Sequence, residues 1–167
     1  MLSAENYDQA IKILKDCGVG AADACSINLT FVNDFDERKF YNIEMGPALG
    51  NSNESELDIS TVIGGGYSIH CNHFMRLKTP ENDDVYMNAT KFRLETLKKF
   101  AEPKSRKDVL NMLGDQTEPH WIFRDKVGET KTICVGIFDL KKLTWSLYKG
   151  NPKTDEPLVV LPMFFKD

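Results

Sequence analysis

The densest group of reactive side chains is the tetrapeptide His70-Cys71-Asn72-His73. Two imidazoles and a thiol are side chains that zinc binds, but a closed zinc site needs about four ligands. The tetrapeptide follows an apolar run that predicts a strand, and in a strand His70 and Cys71 would point to opposite faces. We therefore predict no metal here. A polar strand end without any chemistry is the alternative interpretation.

Asn72 offers a more specific chemistry. An amide N–H that is held rigidly in a pocket can donate to a developing oxyanion, and one such donor is worth roughly 3 kcal/mol of transition-state stabilisation. Arg124 follows an apolar run and would supply a fixed cation that orients or activates a thiolate, or binds a substrate carboxylate. The alternative for Arg124 is a surface residue paired with Asp125. Asp115 is interpreted as a turn residue after a helix.

The cysteines stand at positions 17, 25, 71 and 134, without a CxxC pair. This spacing indicates reduced thiols in a cytoplasmic protein. Adjacency to histidines does not give Cys71 a base, because the base must be near in space. Self-cleavage before Cys25 would expose an N-terminal thiol with its own amine as base, but nothing in the local sequence favours it.

Helical periodicity predicts three helices. The first begins at a cap, Ser3 or Asn6, and ends at Gly18 and Gly20. The second covers residues 89–101. The third begins at the capping box of Ser105 to Asp108 and ends at Gly114. The residues expected to face inward from the second helix are Phe92, Leu97 and Phe100.

Alternating apolar residues predict the strands. A hairpin is expected from residues 26–32 and 39–45, followed by a mobile loop over 46–58. Two short strands, 59–63 and 67–71, are split by a turn at Gly64, Gly65 and Gly66. A second hairpin is expected from 131–138 and 143–148, and an apolar stretch over 158–165 is interrupted by Pro162. We predict a single α+β domain over residues 1–167 with mostly antiparallel strands flanked by helices.

The composition narrows the function classes. Hydrophobic residues make up 41% and charged residues 28%, which is typical of a globular chain. The formal net charge of −4 argues against a dedicated nucleic-acid binder. Apolar runs do not reach the roughly 18 to 20 residues that cross a bilayer, and residues 1–8 do not resemble a signal peptide. We therefore expect neither nucleic acid nor a membrane as a partner.

A family resemblance is carried by an ordered set of motifs. These are His70 to Phe74, Asn88 to Arg93, Leu113 to Asp115, Thr132 to Asp139, and Gly150 to Pro152. In this order and spacing they resemble the C-terminal half of the acyl-coenzyme A:isopenicillin N acyltransferase-like family of N-terminal-nucleophile hydrolases. Within the family the chain is most similar to the arthropod β-alanyl-amine hydrolases, which cleave β-alanyl dopamine or β-alanyl histamine.

The resemblance implies a four-layer αββα fold and a precursor that undergoes autoproteolysis at a Gly-Cys bond. The freed cysteine attacks an amide with its α-amine as base, and no cofactor is required. Asn72 matches the oxyanion asparagine, Arg124 matches an arginine that orients the nucleophile, and His70 and His73 are assigned to substrate binding. The implied substrate is a small N-acyl amine.

One feature departs from the family pattern. The nucleophile of the family lies upstream of any position that matches Ser3, and this sequence contains no Gly-Cys dipeptide. Three hypotheses follow: a fragment of a longer amidohydrolase, a subunit that pairs with the nucleophile-bearing segment, or an inactive truncated paralogue that serves as an interaction module. An acyltransferase that uses a thioester donor shares the same residues. Unpaired sheet edges would favour association, including homo-oligomers.

Overall fold

The structure is a computed structural model that describes residues 4–15, 25–32, 39–81, 85–119, 121–125 and 130–165. The chain divides into two compact units, Met1–Lys91 and Phe92–Asp167. The described residues form three helices and two three-stranded antiparallel sheets. The predicted α+β class is therefore confirmed, whereas the prediction of a single domain over 1–167 stays a prediction.

The first unit is built on one antiparallel sheet with the order β1-β2-β3. Its Asn6 side chain accepts a hydrogen bond of 3.0 Å from the Gln9 amide, so Asn6 caps the first helix as predicted. The glycines predicted to end that helix, Gly18 and Gly20, lie outside the described residues. The elements are α1 (Tyr7–Lys15), β1 (Cys25–Leu29), β2 (Phe40–Gly46), β3 (Glu56–Val62) and the first part of α2 (Val85–Lys98).

The two faces of this sheet differ in polarity. Cross-strand partners in an antiparallel sheet share a face, so the register assigns residues to rows. One face carries the apolar row Ile27–Ile43–Ile59, in which Ile43 is fully buried. The opposite face carries the polar rows Asn28–Asn42–Ser60 and Ser26–Glu44–Asp58. Because Asn42 and Glu44 are also fully buried, the polar face must supply them with hydrogen-bond partners.

The segment after β3 is irregular, which corrects two predictions. β3 already begins at Glu56, inside the predicted mobile loop, and residues 67–71 form no strand. The predicted glycine turn is confirmed, since Gly64 and Gly65 have φ angles of +63° and +99°, which glycine tolerates without strain. From Asn72 onward, several backbone N–H groups bond to side chains instead of to a neighbouring strand.

The second unit contains α3 (Arg106–Leu113) and a sheet of β4 (Val135–Asp139), β5 (Thr144–Tyr148) and β6 (Val159–Pro162), in that order. The predicted capping box is confirmed, because the Ser105 and Asp108 side chains each bond the other's backbone N–H. Gly114 closes α3, also as predicted. Asp115 accepts from the amide and hydroxyl of Thr117, which confirms the turn interpretation.

Helix α2 and strand β4 differ from the prediction in their bounds and in which side chains are buried. α2 spans Val85–Lys98 instead of 89–101, and its buried positions include Leu94 and Leu97, whereas Phe92 is 53% exposed. β4 begins only at Val135, and Ile133 is 87% exposed. Phe92 and Ile133 fit the sequence periodicity of buried positions, but a side chain is buried only where another element packs against its face. Among the described residues, no helix is long and apolar enough to span a membrane.

Candidate active site

A cavity of about 600 Å³ opens in the first unit, between the polar face of the sheet and the segment that follows β3. Its size is within the range of about 300 to 1,000 Å³ that is usual for small-molecule sites. The residues that line it come from strand β1, from the segment 70–74 and from Glu81. The lining residues are Cys25, Ser26, Asn28, His70, Cys71, Asn72, His73, Phe74 and Glu81.

Glu44 on β2 fixes the loop that forms one wall of this cavity, which we call the 70–77 loop. Its Oε1 accepts hydrogen bonds from His70 Nε2 at 2.9 Å and from the Met75 amide at 2.7 Å. Its Oε2 accepts from the amides of Arg76 at 2.9 Å and Leu77 at 2.8 Å. Four donors therefore converge on one fully buried carboxylate, and the course of the loop follows from them.

The electrostatics of Glu44 agree with this role. Burial by itself raises the pKa of the Glu44 carboxyl, but the hydrogen bonds from Leu77, Met75, His70 and Arg76 together outweigh burial and hold that pKa below its ordinary value. The carboxylate is therefore ionised at neutral pH. Because an ionised carboxylate only accepts, the His70 Nε2–H donates, and this fixes the orientation of the His70 ring.

A second buried group on β2 ties the loop to strand β1. The Asn42 Nδ2 donates to Ser26 Oγ at 3.0 Å and to Asn28 Oδ1 at 2.9 Å. The Asn42 Oδ1 accepts from the Arg76 guanidinium at 3.0 Å, and the same guanidinium is bonded to Asp58 on β3. The β1 residues of the cavity are thus connected through the sheet to the 70–77 loop.

Asn72 is held through its backbone by helix α2. Its N–H donates to Thr90 Oγ1 at 2.8 Å, and Thr90 is almost completely buried. Asn72 is exposed and is one of the residues that line the cavity. A fixed backbone beneath an exposed amide is the arrangement that a positioned hydrogen-bond donor requires.

His73 contacts the same hydroxyl, with His73 Nδ1 at 3.4 Å from Thr90 Oγ1. Burial lowers the pKa of His73, and the charges of His70 and Lys91 lower it further, while the Glu81 and Glu44 carboxylates act in the opposite direction. The net effect is a pKa below the ordinary value of 6.5. His73 is therefore a neutral imidazole at neutral pH.

Glu81 binds the backbone of the 70–77 loop at Phe74. Both of its carboxylate oxygens lie 3.0 Å from the Phe74 amide nitrogen, which donates to them. Glu81 is half-buried and lines the cavity. A carboxylate offers about four lone-pair sites, so one shared N–H leaves acceptor capacity for a further donor.

The structure brings together three of the four site residues that the sequence predicts. His70, Asn72 and His73 all line the cavity. Arg124 belongs to the second unit, where its guanidinium donates to Thr130 Oγ1. Asp125, the alternative partner predicted for Arg124, accepts a hydrogen bond from Gln116. The catalytic and binding roles of these four residues stay predictions.

The prediction that His70 and Cys71 lie in a strand is wrong. Both residues lie in an irregular loop and line one cavity, together with Cys25. Within the described ranges, no group of three or more His, Cys, Asp or Glu side chains is placed to hold a metal ion.

Three residues that organise the cavity were missed at the sequence level: Glu44, Glu81 and Thr90. Two of them carry a recognisable signal. Asn42 and Glu44 are polar positions that alternate with Ile43 and Met45, which is the mark of a strand with a polar face. Thr90 belongs to the motif Asn88 to Arg93, which is one of the motifs that carry the family resemblance. Glu81 has no comparable signal in the sequence.

Two comparisons with known proteins found a match for this chain. Residues 1–154 match the model of the acyl-coenzyme A:6-aminopenicillanic acid acyl-transferase family. The chain is 41% identical over 170 residues to a β-alanyl-dopamine/carcinine hydrolase of Drosophila melanogaster. That match covers 99% of this chain and 44% of the relative, so the chain spans less than half the length of that protein. No solved structure matches the chain.

The family match covers most of the chain, and the relative is similar over almost all of it. The chain therefore belongs to the acyl-coenzyme A:6-aminopenicillanic acid acyl-transferase family. The resemblance predicted from the motifs is confirmed.

Proposed function

We propose that this chain forms the oxyanion side of the active site of a cysteine amidohydrolase that cleaves a small N-acyl amine such as β-alanyl dopamine. The observation that carries the proposal is the position of Asn72, which lines the cavity and whose backbone N–H is bonded to Thr90. The relative that is 41% identical is named as a hydrolase of such substrates.

The reaction begins when a cysteine thiolate attacks the carbonyl carbon of the amide. The carbonyl oxygen becomes an oxyanion, and the Asn72 side-chain N–H donates to it. The C–N bond then breaks, the amine leaves with a proton, and the acyl group remains as a thioester. Water attacks the thioester, which releases the carboxylic acid and returns the thiol. Asn72 stabilises both tetrahedral intermediates.

We propose that the attacking thiol comes from polypeptide beyond the residues described above. The relative has more than half of its length outside the matched region. Asn72 is exposed in this chain, whereas an oxyanion donor is most effective where water is excluded. Additional polypeptide over the cavity would supply both the thiol and that exclusion. In the four-layer αββα fold of N-terminal-nucleophile hydrolases, a second sheet would provide this cover.

The second unit offers a surface of the kind that such polypeptide covers. Phe138, Leu158 and Phe164 expose 62%, 71% and 88% of their surface. Large exposed apolar side chains are typical of surfaces that another element covers. The partner we propose is the nucleophile-bearing part of the enzyme, and a cytoplasmic location belongs to the same proposal.

The family name favours a second activity. An acyltransferase would form the same thioester and then use an amine, instead of water, as acceptor. The two activities separate on product analysis with excess free amine present. A hydrolase yields free β-alanine, whereas an acyltransferase yields a new amide.

The test of the proposal replaces Asn72 with alanine in the full-length protein. We expect kcat for β-alanyl dopamine to fall by about 10²-fold or more, because one oxyanion donor is lost. KM should change little, since the interaction strengthens only as the oxyanion develops.

Asn53→Ala is the control, because it removes the same amide from an exposed position of the first unit that is not among the lining residues of the cavity. We expect it to lower kcat by much less than Asn72→Ala. If Asn72→Ala turns over substrate at the parent rate, Asn72 has no part in the mechanism. If the full-length protein cleaves no β-alanyl amine, the proposed substrate class is wrong.

A further inference from the structure

The described lining of the cavity has an uneven distribution of charge. Among these residues, Glu81 is the one carboxylate, and none is a lysine or an arginine. The 70–77 loop does contain Arg76, but its guanidinium is bonded to Asn42 and Asp58, and Arg76 is not a lining residue. The cavity therefore favours a ligand that carries a positive charge.

The His73 ring does not cancel the negative charge of Glu81. The pKa of His73 is lowered, first by burial and then by the charges of His70 and Lys91, so its ring is neutral at neutral pH. Glu81 is close enough to His73 to oppose that shift. The carboxylate of Glu81 therefore lies near a neutral ring.

The position of Glu81 suits one end of an aminoacyl amide. Its carboxylate is bonded to the amide of Phe74, which is two residues beyond Asn72. Two virtual Cα–Cα bonds span at most about 7.6 Å, so Asn72 and the Glu81 carboxylate lie on neighbouring parts of the wall. An acyl group with two methylene carbons between its carbonyl and its ammonium can reach both.

We propose that Glu81 binds the terminal ammonium of the substrate's acyl group and so selects aminoacyl amides over uncharged or acidic acyl amides. This inference rests on the proposed function and specifies its substrate class. The Glu81 carboxylate uses one N–H from Phe74 and keeps lone pairs for a charge-assisted hydrogen bond from the ammonium. An acyl chain that ends in a carboxylate meets like charge at the same place.

The experiment compares two substrates of the full-length protein that differ at one group. β-Alanyl dopamine carries a terminal ammonium, and butanoyl dopamine carries a methyl group in its place. The variant is Glu81→Gln, which keeps an oxygen acceptor for the Phe74 amide but removes the charge. We expect kcat/KM for β-alanyl dopamine to fall about tenfold or more, because a hydrogen bond to a charged group is lost. The value for butanoyl dopamine should stay within about threefold of the parent.

The control variant is Glu54→Gln, which removes one negative charge from an exposed ion pair with Lys15 in the same unit. It should change neither substrate's kcat/KM. If Glu81→Gln lowers both substrates equally, Glu81 only supports the loop and the inference is overturned. The same conclusion follows if the variant changes neither substrate.

Binding without turnover separates this inference from the proposed function. Calorimetric titration with β-alaninamide should show weaker binding to Glu81→Gln than to the parent, while butanamide should not distinguish the two proteins. A parent that hydrolyses neither dopamine amide would refute the proposed function. The inference about Glu81 would survive that result if β-alaninamide binding still depended on the carboxylate, and would fail if it did not.

Discussion

The substitution that tests the architecture of the cavity most directly is Glu44→Gln. The replacement is nearly isosteric, so it leaves no cavity, but it exchanges one carboxylate oxygen for an amide nitrogen. Glutamine can orient its oxygen toward His70 and Met75, or toward Arg76 and Leu77, but it cannot serve both pairs. With the oxygen toward His70 and Met75, the Arg76 and Leu77 N–H groups face a donor. In the other orientation the Met75 N–H faces a donor, while the neutral His70 ring can accept at Nε2 in its other tautomer. At least one buried N–H therefore loses its acceptor.

The expected loss in the free energy of unfolding follows from the number of buried N–H groups that lose their acceptor. A buried donor without a partner costs about 1 to 3 kcal/mol, so the loss of at least one acceptor costs about 1 to 3 kcal/mol or more. Domains are stable by only about 5 to 15 kcal/mol, so this loss is a large fraction of the total. The lower bound already corresponds to about a fivefold change in the unfolding equilibrium. The loss should be greatest near neutral pH, where Glu44 is ionised.

Urea denaturation of the full-length protein measures the global effect, and hydrogen exchange of residues 70–77 measures the local one. Glu54→Gln is the control, because its carboxylate is 43% exposed in an ion pair with Lys15, and exposed pairs contribute at most about 1 kcal/mol. We expect faster exchange in the loop of Glu44→Gln and none of that change in Glu54→Gln. Equal stability and equal exchange in the two variants would refute the account of the loop.

Two further predictions concern Arg124 and His73. Arg124→Ala should raise the apparent pKa of the nucleophilic thiol, because a nearby cation favours the thiolate, and alkylation by iodoacetamide near neutral pH should slow; an unchanged pH–alkylation profile would remove Arg124 from the mechanism. The pKa of His73 lies below 6.5 in the folded state, so the unfolded chain binds this proton more readily, and stability falls as the pH drops below about 6.5. In His73→Gln, the midpoint temperature of thermal unfolding should change less between pH 7.5 and pH 5.5 than in the parent. An equal change in the two proteins would contradict the assignment.

The parts of the fold that depend on local signals could be predicted from the sequence. The cap at Asn6 and the capping box at Ser105 are set by side chains within one helical turn, and both are present. The β1–β2 hairpin follows from strict alternation, with Ile27 opposite Ile43. In each case the determining residues are close in sequence, and no distant partner is needed to explain the structure.

The irregular loop could not be predicted in the same way, because its determinants are distant in sequence. His70 and Glu44 are 26 residues apart, and Leu77 and Glu44 are 33 apart. The alternation over residues 67–71 favoured a strand, but in the folded chain the loop amides that follow are bound by one buried carboxylate. Gly46, at the end of β2, permits this packing, since a Cβ there would lie 3.3 to 3.4 Å from Thr79, Leu77 and Phe74.

Some of the motif residues serve packing instead of chemistry. A Cβ on Gly114 would lie 2.2 Å from Asn151 Oδ1 and 2.9 Å from the Lys153 backbone nitrogen, so only glycine fits there. Asn151 Nδ2 also donates to the Gly114 carbonyl at 2.9 Å. The motifs Leu113 to Asp115 and Gly150 to Pro152 therefore meet in one close contact within the second unit.

A buried charged group such as Glu44 is expensive to desolvate, and a sheet normally places apolar side chains on a buried face. Here the cost is offset only when the 70–77 loop folds onto the sheet and supplies its N–H groups. The same event places His70 and Asn72 on the cavity wall. Loop order and site assembly are therefore one thermodynamic step, and a substitution that loosens the loop should lower activity even though it touches no substrate.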